Sequence, residues 1–243
     1  MSQTWRHHAD WINTRLLGRW LQKATPSRVL KTDLYEEAVG TGQAQWLAAR
    51  FDAVQGVDVS DEVVAAAERK FPGLIASVAD TRQLPFPDEA FGAVVSLSTL
   101  DHFEDRASIA RSIAEIARVL APGGTLVLTL DNPANPVIWL RQSLPRPVID
   151  RTGLVPYFCG QTLFPGELED ELERAGFRIE SRSFILHCPR VLAVPFARFL
   201  DTTKSGMLKG MFSGVLKGCE GLEYLPTRRF TGHFTAVRCS KGP

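Results

Sequence analysis

The sequence predicts an α/β fold, namely a doubly wound, mostly parallel seven-stranded sheet with an antiparallel edge strand. Short apolar runs alternate with helical patterns over residues 28–130, an arrangement typical of βαβ units and a parallel sheet. Two more strand patterns come late in the chain, over 177–186 and 230–239, and a long segment separates them. Strands in this order fit an antiparallel edge on a doubly wound sheet.

The first element is a helix over residues 10–23, because Trp11, Ile12 and Leu16 recur at helical spacing, and we expect it to lie over the opening of the fold. Five strands follow, at 28–35, 53–59, 74–78, 93–97 and 124–130. The helices between them are expected at 43–51, 62–70 and 106–120. Ala121-Pro122-Gly123-Gly124 marks the last junction with turn residues.

The carboxy-terminal part adds a helix over 165–175 and an insertion over 190–229, before the last strand. The insertion is rich in Phe, Leu, Met, Lys and Gly, which fits a lid, a dimer surface or a contact with an anionic membrane. We favour a lid over a hydrophobic acceptor. The predicted organisation is an N-terminal helical segment, 1–27, and one α/β domain, 28–243, that carries the helical insertion.

Composition excludes several classes of protein. The 28 Lys and Arg residues against 27 Asp and Glu leave a net charge of +1, so no global field attracts nucleic acid. No run of about 18 apolar residues and no signal-peptide pattern is present, which predicts a cytoplasmic protein without an integral membrane segment. The four cysteines form no CxxC pair, so we expect reduced thiols and no metal site.

Two early motifs indicate a nucleoside ligand. Gly40-Thr41-Gly42 follows the first strand, where absent side chains let the backbone approach a ligand, although the same pattern is also a common turn. Asp58 ends the second strand, 16 residues after Gly42, where one carboxylate can accept hydrogen bonds from both ribose hydroxyls. Asp58 could instead cap the next helix, but Ser60 or Asp61 can also do this and would leave Asp58 for the ligand.

A third position follows the third strand. The carboxylate of Asp80 can accept from the exocyclic amine of adenine, while the backbone N–H beside it, at Thr81, reaches a ring nitrogen. The alternative is a solvated loop aspartate.

Three segments together resemble class I S-adenosylmethionine-dependent methyltransferases. Residues 79–95 resemble the family's nucleoside-contacting aspartate, LPF run and start of the fourth strand, with Gly92 in place of the usual aspartate. Residues 100–103 resemble its leucine-x-histidine segment, and 118–124 resemble its turn before the fifth strand. The match covers about residues 28 to 131 and implies this family's fold and S-adenosylmethionine as cofactor.

The first motif departs from the family pattern, since Ala38 stands where the first glycine is expected. The resemblance implies that an acid holds the cofactor's ammonium group, and Glu36 is the candidate, with Asp33 as the alternative. Lys31 and Asp33 are unusual in a first core strand unless paired or functional, or unless they lie on its exposed end. The predicted cofactor-binding residues are Glu36, Gly40, Gly42, Asp58, Val59, Asp80, Thr81 and Ser96.

Catalysis is expected at the carboxyl end of the fourth strand, where such folds place ligands. Methyl transfer is an in-line displacement that depends on acceptor alignment, and a base is needed only if the acceptor keeps its proton. Asp101 and His102 are the candidate catalytic residues, and His102 is the better proton acceptor by its ordinary pKa; packing beside the cofactor or helix capping is the alternative role. Candidate acceptor-contacting residues are Asn132, Tyr157 and His187.

We therefore predict methyl transfer from S-adenosylmethionine to a small, apolar or aromatic metabolite through O, N or C. The expected partner is a small-molecule acceptor, with a homodimer and peripheral membrane contact as further candidates. Two alternatives keep the cofactor: different chemistry on the sulfonium, or a non-catalytic cofactor-binding subunit. A nicotinamide-dependent oxidoreductase is a weaker alternative, because the GxGxxG motif is incomplete.

Overall fold

The computed structural model describes residues 2–21, 28–144 and 160–242. The strands are β1 (Arg28–Lys31), β2 (Ala53–Asp58), β3 (Leu74–Val78), β4 (Phe91–Leu97), β5 (Leu120–Asp131), β6 (Phe177–Ile185) and β7 (Phe234–Lys241). The helices are α1 (Gln3–Trp20), α2 (Tyr35–Val39), α3 (Ala44–Ala48), α4 (Asp61–Lys70), α5 (Arg106–Val119), α6 (Pro136–Ser143), α7 (Pro165–Arg174), α8 (Arg190–Thr202), α9 (Gly206–Cys219) and α10 (Arg228–Thr231). Short 3-10 turns cover Leu100–His102 and Glu220–Tyr224.

Within these residues the strands form one seven-stranded sheet in the order β3-β2-β1-β4-β5-β7-β6. The first five strands in this order are parallel, and β7 lies antiparallel between β5 and β6. The predicted fold class is confirmed. The chain crosses from β3 over the sheet to β4, so the strand order reverses between β1 and β4, and ligands of such sheets bind outside the strand ends at this point.

Helix ends follow local chemistry. The Ser60 side chain accepts the Val63 N–H at the start of α4, and Asp105 accepts the Ser108 N–H at 2.7 Å at the start of α5. The buried stripe of α5, at Ile109, Ile113 and Ile116, packs on one face of the sheet together with α7. Apolar residues of α1, α4 and α8 pack on the other face.

Several predicted boundaries were wrong. The fifth strand begins at Leu120 and so includes residues 121–124, which were predicted to form the turn before it. The first strand ends at Lys31 instead of extending to residue 35, because Asp58 accepts the Leu34 N–H at 3.1 Å and the chain then turns into α2. The last strand begins at Phe234, since residues 228–231 are helical. The amino-terminal helix begins at Gln3, where Ser2 caps the Trp5 N–H.

The 190–229 insertion is helical, and α8 and α9 contact each other and α1. Asp201 of α8 accepts the N–H of Gln3 at 2.7 Å and the hydroxyl of Thr4 at 2.6 Å. This carboxylate joins α8 to the start of α1. None of the described helices combines the length and the apolar character that crossing a bilayer requires.

Candidate functional site

A cavity of about 510 Å³ lies at the carboxyl ends of β1, β2, β4 and β5, beneath α1. Its wall from α1 consists of Trp5, Ala9 and Asn13, so this helix covers the opening as predicted. Within the 190–229 insertion, Arg190 contributes to the lining. A volume of this size is typical of small-molecule sites.

The cavity lining is strongly acidic. Five carboxyl groups line it, at Asp33, Glu36, Asp58, Asp101 and Asp131, and Arg190 is the guanidinium among its described lining residues. Apolar and aromatic side chains separate these acids, at Trp5, Tyr35, Leu97, Leu186 and Phe234. The potential inside such a cleft favours a cationic ligand.

The first loop is built around a buried ion pair instead of an open glycine cradle. Lys31 Nζ lies 2.8 Å from Glu37 Oε2, and both side chains are almost fully buried. Burial works to lower the pKa of Lys31, but Glu37 and Asp33 outweigh it and hold that pKa above its ordinary value. Glu37 Oε1 also accepts the N–H groups of Gln43 and Ala44, which start α3. The missing side chain of Gly42, at φ +56°, makes room for Glu37, since a Cβ there would lie 2.4 Å from its carboxyl oxygen.

Glu36 faces the cavity from α2, and its Oε2 has no hydrogen-bond partner although that atom is buried. Burial, and next the charge of Asp10, raises the pKa of Glu36 to about 7. An unpartnered buried carboxyl oxygen in an acidic cavity is suited to a cationic group. Asp33 lines the same wall, so both acids considered from the sequence are available to an ammonium group.

We expect the raised pKa of Glu36 to make binding of a cationic ligand pH-dependent. A bound cation favours the charged carboxylate and lowers its pKa, so affinity should rise as the pH increases from about 6 to about 8 and a proton should be released on binding. Calorimetry with S-adenosylhomocysteine in two buffers of different ionisation enthalpy measures this proton. We expect Glu36→Gln to abolish the release, whereas Glu62→Gln, on the first turn of α4, should leave it unchanged. Equal proton release in Glu36→Gln would remove Glu36 from the ligand site.

Asp58 lies where β2 ends, and its carboxylate is fixed by the chain. Oδ2 accepts the N–H of Leu34 at 3.1 Å, and Oδ1 accepts that of Ser60 at 2.9 Å. Each oxygen keeps a lone pair for a hydroxyl of a ligand. Val59 is 71% exposed and Val78, at the end of β3, is 55% exposed. These apolar surfaces next to Asp58 could cover a planar base.

Asp80 and Thr81 lie outside the described cavity wall. The Asp80 carboxylate is 2.5 Å from Arg82 Nη2, and this hydrogen bond lowers the pKa of Asp80. Thr81 is buried, with its hydroxyl 3.3 Å from that of Ser112. An adenine contact for Asp80 and Thr81 remains a prediction. It requires the Asp80 carboxylate to accept a hydrogen bond from adenine, either alongside Arg82 or in its place.

The end of β4 is strained and carries a protonatable acid. Ser98 has φ +52°, and its N–H is held by the Thr129 carbonyl and hydroxyl oxygens. Backbone strain in a non-glycine residue often marks a functional position. Ser98 donates to Asp101 Oδ2 at 2.8 Å, and Asp101 Oδ1 is buried without a hydrogen-bond partner. Burial, and next the charge of Asp131, raises the pKa of Asp101 to about 6.

His102 lines the cavity beside Asp101, with 53% of its side chain exposed and its Nε2 3.9 Å from Asp101 Oδ1. The distance exceeds a hydrogen bond. The two adjacent groups therefore offer two proton-accepting positions on one wall.

A second polar network follows β5. Arg141 Nη2 lies 2.5 Å from Asp131 Oδ2, and the His233 ring lies 3.4 Å from Asp131 Oδ1. Burial disfavours ionisation of Asp131, but the guanidinium groups of Arg141 and Arg190 oppose it, and the pKa of Asp131 lies below its ordinary value. Burial lowers the pKa of His233 to about 3, so its ring is neutral and Nε2 accepts from Arg190 at 3.1 Å. This network fixes Arg190 at the cavity wall.

Several residues predicted to bind ligand lie outside the described lining. Ser96 is buried inside β4, and Gly40 and Gly42 face Glu36 and Glu37. Asn132 donates to the carbonyls of Arg229 and Gly232, and His187 contacts the Thr231 hydroxyl and the Phe184 carbonyl, so both have structural partners. Tyr157 lies outside the described residues.

His8, Cys188 and Glu220 form a buried polar cluster whose ligating atoms lie within 4.8 Å of one another. Both Glu220 oxygens accept backbone N–H groups, from Leu186 and His187. Burial raises the pKa of the Cys188 thiol to about 12, which keeps it neutral. We interpret the cluster as support for Leu186, which has φ +63° and lines the cavity.

Sequence reasoning placed the amino-terminal helix over the opening but missed its first two turns, and it also missed His233. Trp5 and Ala9 precede the predicted helix, and His233 is an isolated histidine 102 residues after Asp131. The alternation of Trp5 and Ala9 at helical spacing was an available signal. No local pattern pointed to His233.

The family described as a methyltransferase domain matches residues 36–128 of the chain. The chain also matches curated relatives. One is a human protein called "Probable tRNA methyltransferase 9B", which is 27% identical over 162 residues, covering 65% of this chain and 32% of that protein. They also include the demethylmenaquinone methyltransferase of Chlorobaculum parvum, which is 32% identical over 108 residues, covering 43% of this chain and 44% of that enzyme. The chain thus spans less than half the length of either relative.

Solved structures share the whole fold at low identity. The structure titled as the [4+2]-cyclase SpnF superposes with a TM-score of 0.60 at 24% identity, over 96% of this chain and 81% of that one. Further structures with the same fold are titled as methyltransferases. At this identity the likeness shows the fold, and one fold can host several chemistries.

Proposed function

We propose that the chain, whose residues 36–128 match a methyltransferase domain, is a class I S-adenosylmethionine-dependent methyltransferase that transfers a methyl group to a small acceptor in the cavity. The acidic cavity at the reversal of strand order is the observation that carries this proposal. S-adenosylmethionine has a sulfonium and an ammonium group, and the carboxyl groups of the cavity lining would complement both. When bound, it supplies an electrophilic methyl group.

The residues present fit this cofactor. Glu36, with an unpartnered buried oxygen, and Asp33 would hold the ammonium group. Asp58 would accept from the ribose hydroxyls, and the exposed side chains of Val59 and Val78 would cover the base. In this account, carboxylates of the α2 region replace the glycine loop that the family usually provides.

The acceptor side is assigned to the ends of β4 and β5. Asp101 and His102 would take a proton from an acceptor that still carries one. Arg190, held by the Asp131–His233 network, would orient a polar acceptor group. The aromatic and aliphatic lining supports an apolar or aromatic metabolite as acceptor.

A nucleic-acid acceptor is less compatible with these charges. The net charge is +1 and the cavity lining is acidic, so a polyanion would be repelled near the donor. The human relative's name refers to tRNA, but the alignment covers only 32% of that protein. We therefore propose a small-molecule acceptor.

The role of Asp58 can be tested by binding. Asp58→Asn keeps the side-chain shape and one acceptor oxygen but removes the charge, so affinity for S-adenosylhomocysteine should fall by about 1–3 kcal/mol, roughly 5- to 150-fold. Asp61→Asn, three residues later on exposed α4, is the matched control and should bind as the wild type does. Unchanged affinity in Asp58→Asn would remove Asp58 from the cofactor site.

The rebuilt first loop supports a second candidate, in which the same cofactor undergoes a different displacement at its sulfonium. Glu37, which is paired with Lys31, occupies the space that the missing side chain of Gly42 leaves. Mass analysis of products distinguishes the two functions. S-adenosylhomocysteine together with an acceptor heavier by one methyl group supports methyl transfer, whereas other cleavage products support the alternative. Cofactor binding without turnover in an acceptor screen would indicate a non-catalytic subunit.

A further inference from the structure

Helices α8 and α9 carry apolar side chains on their outer faces. Their inner faces are buried through Ala193, Ala197 and Leu200 on α8 and through Leu216 on α9. Beside these positions, eight apolar residues of the two helices have exposed fractions of 44–73%: Val191, Leu192, Phe196, Phe199, Met207, Leu208, Met211 and Val215. We call these eight residues the outer apolar face.

The two helices form one layer. Both contact α1, and the rings of Phe196 and Phe212 pack edge to face with centroids 4.9 Å apart. Since each helix packs inward on the same partner, the exposed sides of both point away from α1. The outer apolar face therefore gathers exposed apolar residues on two adjacent helices, in contrast to the singly scattered ones that are normal on a protein surface.

The charged residues of this segment are mostly basic. Residues 190–219 contain five basic residues and one acidic residue, Asp201. Arg190 lines the cavity and Lys217 lies over the Trp11 ring of α1, which leaves Arg198, Lys204 and Lys209 as the basic residues for the outer apolar face. The Asp201 carboxylate accepts hydrogen bonds from the Gln3 N–H and the Thr4 hydroxyl at the start of α1. Arg198, Lys204 and Lys209 have no carboxylate within 4.0 Å in the part of the chain that the structure describes.

We propose that α8 and α9 bind the surface of an anionic lipid membrane, with the outer apolar face in the headgroup–acyl boundary and Arg198, Lys204 and Lys209 on acidic headgroups. Amphipathic helices with an apolar face and basic flanks bind membranes in this way. A second copy of the chain fits less well, because a twofold interface would place the same uncompensated cations against one another. The contact is peripheral, since no described helix can span a bilayer, and it does not depend on the proposed reaction.

Sedimentation of the full chain with vesicles tests this proposal. We expect binding to phosphatidylcholine vesicles with about 30% phosphatidylglycerol, and at least tenfold weaker binding to phosphatidylcholine alone, because the acidic lipid supplies the surface potential. Phe199→Glu and Met211→Glu should each weaken binding by about tenfold or more, as charge replaces buried apolar surface. Ile75→Glu is the matched control: this residue is 53% exposed on edge strand β3, and binding should be unchanged.

The basic residues provide a second, independent set of variants. Lys204→Ala and Lys209→Ala should each reduce binding about fivefold, and raising the salt from about 50 to about 300 mM should weaken the wild type. Circular dichroism checks that every variant is folded. Equal binding of wild type and Phe199→Glu, or no binding to acidic vesicles, would overturn the proposal. A wild-type dimer that Phe199→Glu dissociates, without vesicle binding, would assign the face to a second copy instead.

Discussion

Replacing Lys31 with methionine is expected to lower the free energy of unfolding by about 3–5 kcal/mol, because it leaves Glu37 buried without its cation. The two groups are 2.8 Å apart, and the carboxylate is fully enclosed. Glu37 also accepts the N–H groups at the start of α3. Loss of its positively charged partner therefore affects α2, the helix that carries both Glu36 and Glu37. Urea denaturation followed by circular dichroism measures the change.

A double variant separates the lost ion pair from general damage. Lys31→Met with Glu37→Gln removes the buried charge but keeps an oxygen for the Gln43 and Ala44 N–H groups, so it should be more stable than Lys31→Met alone. Lys204→Met, at an exposed lysine, is the matched control and should change stability by less than about 0.5 kcal/mol. If Lys31→Met were as stable as the wild type, Glu37 would not be a buried charge.

Replacing Asp101 with asparagine is expected to reduce the turnover number by about 10²–10⁴-fold with an acceptor that must lose a proton, which is the usual contribution of a general base. Asp101 lines the cavity, and its Oδ1 is buried and has no hydrogen-bond partner. Asparagine keeps the shape and can still accept from Ser98. Steady-state kinetics with an acceptor identified by screening measures the loss, and S-adenosylhomocysteine affinity should remain within about twofold.

The pH dependence distinguishes Asp101 from a merely structural residue. Its pKa is raised to about 6, so the carboxylate is charged above this pH and turnover should fall as the pH drops through about 6. In Asp101→Asn, this fall in turnover at low pH, the acidic limb of the pH profile, should be absent. If His102→Ala instead abolishes the limb and Asp101→Asn retains it, the proton is accepted by His102. If both variants keep their full activity, the acceptor reacts without a base.

The sequence alone predicts the parts of this site that lie directly at strand ends. Asp58, Asp101 and His102 follow β2 and β4, and parallel strands bring such positions to one edge. The strand pattern was readable for the same reason, since buried parallel strands are short apolar runs between helices. Lys31 was recognisable as a residue that needs a partner.

The remaining features depend on contacts that no local pattern encodes. Glu37 reaches Lys31 only because α2 folds back over the end of β1, which the Asp58–Leu34 hydrogen bond fixes. Asp131 meets His233 only because β7 inserts between β5 and β6. The glycines looked like a ligand cradle from their spacing, but their φ angles and neighbours are properties of the folded chain.

The assignment of the cavity to S-adenosylmethionine supports every other functional proposal, and calorimetric titration tests it most directly. The purified protein is titrated separately with S-adenosylmethionine, S-adenosylhomocysteine and NAD. We expect both adenosyl ligands to bind with dissociation constants in the micromolar range and NAD not to bind. Absence of binding by both adenosyl ligands would contradict the account, since it would mean that the Lys31–Glu37 pair and α2 have closed the cofactor site.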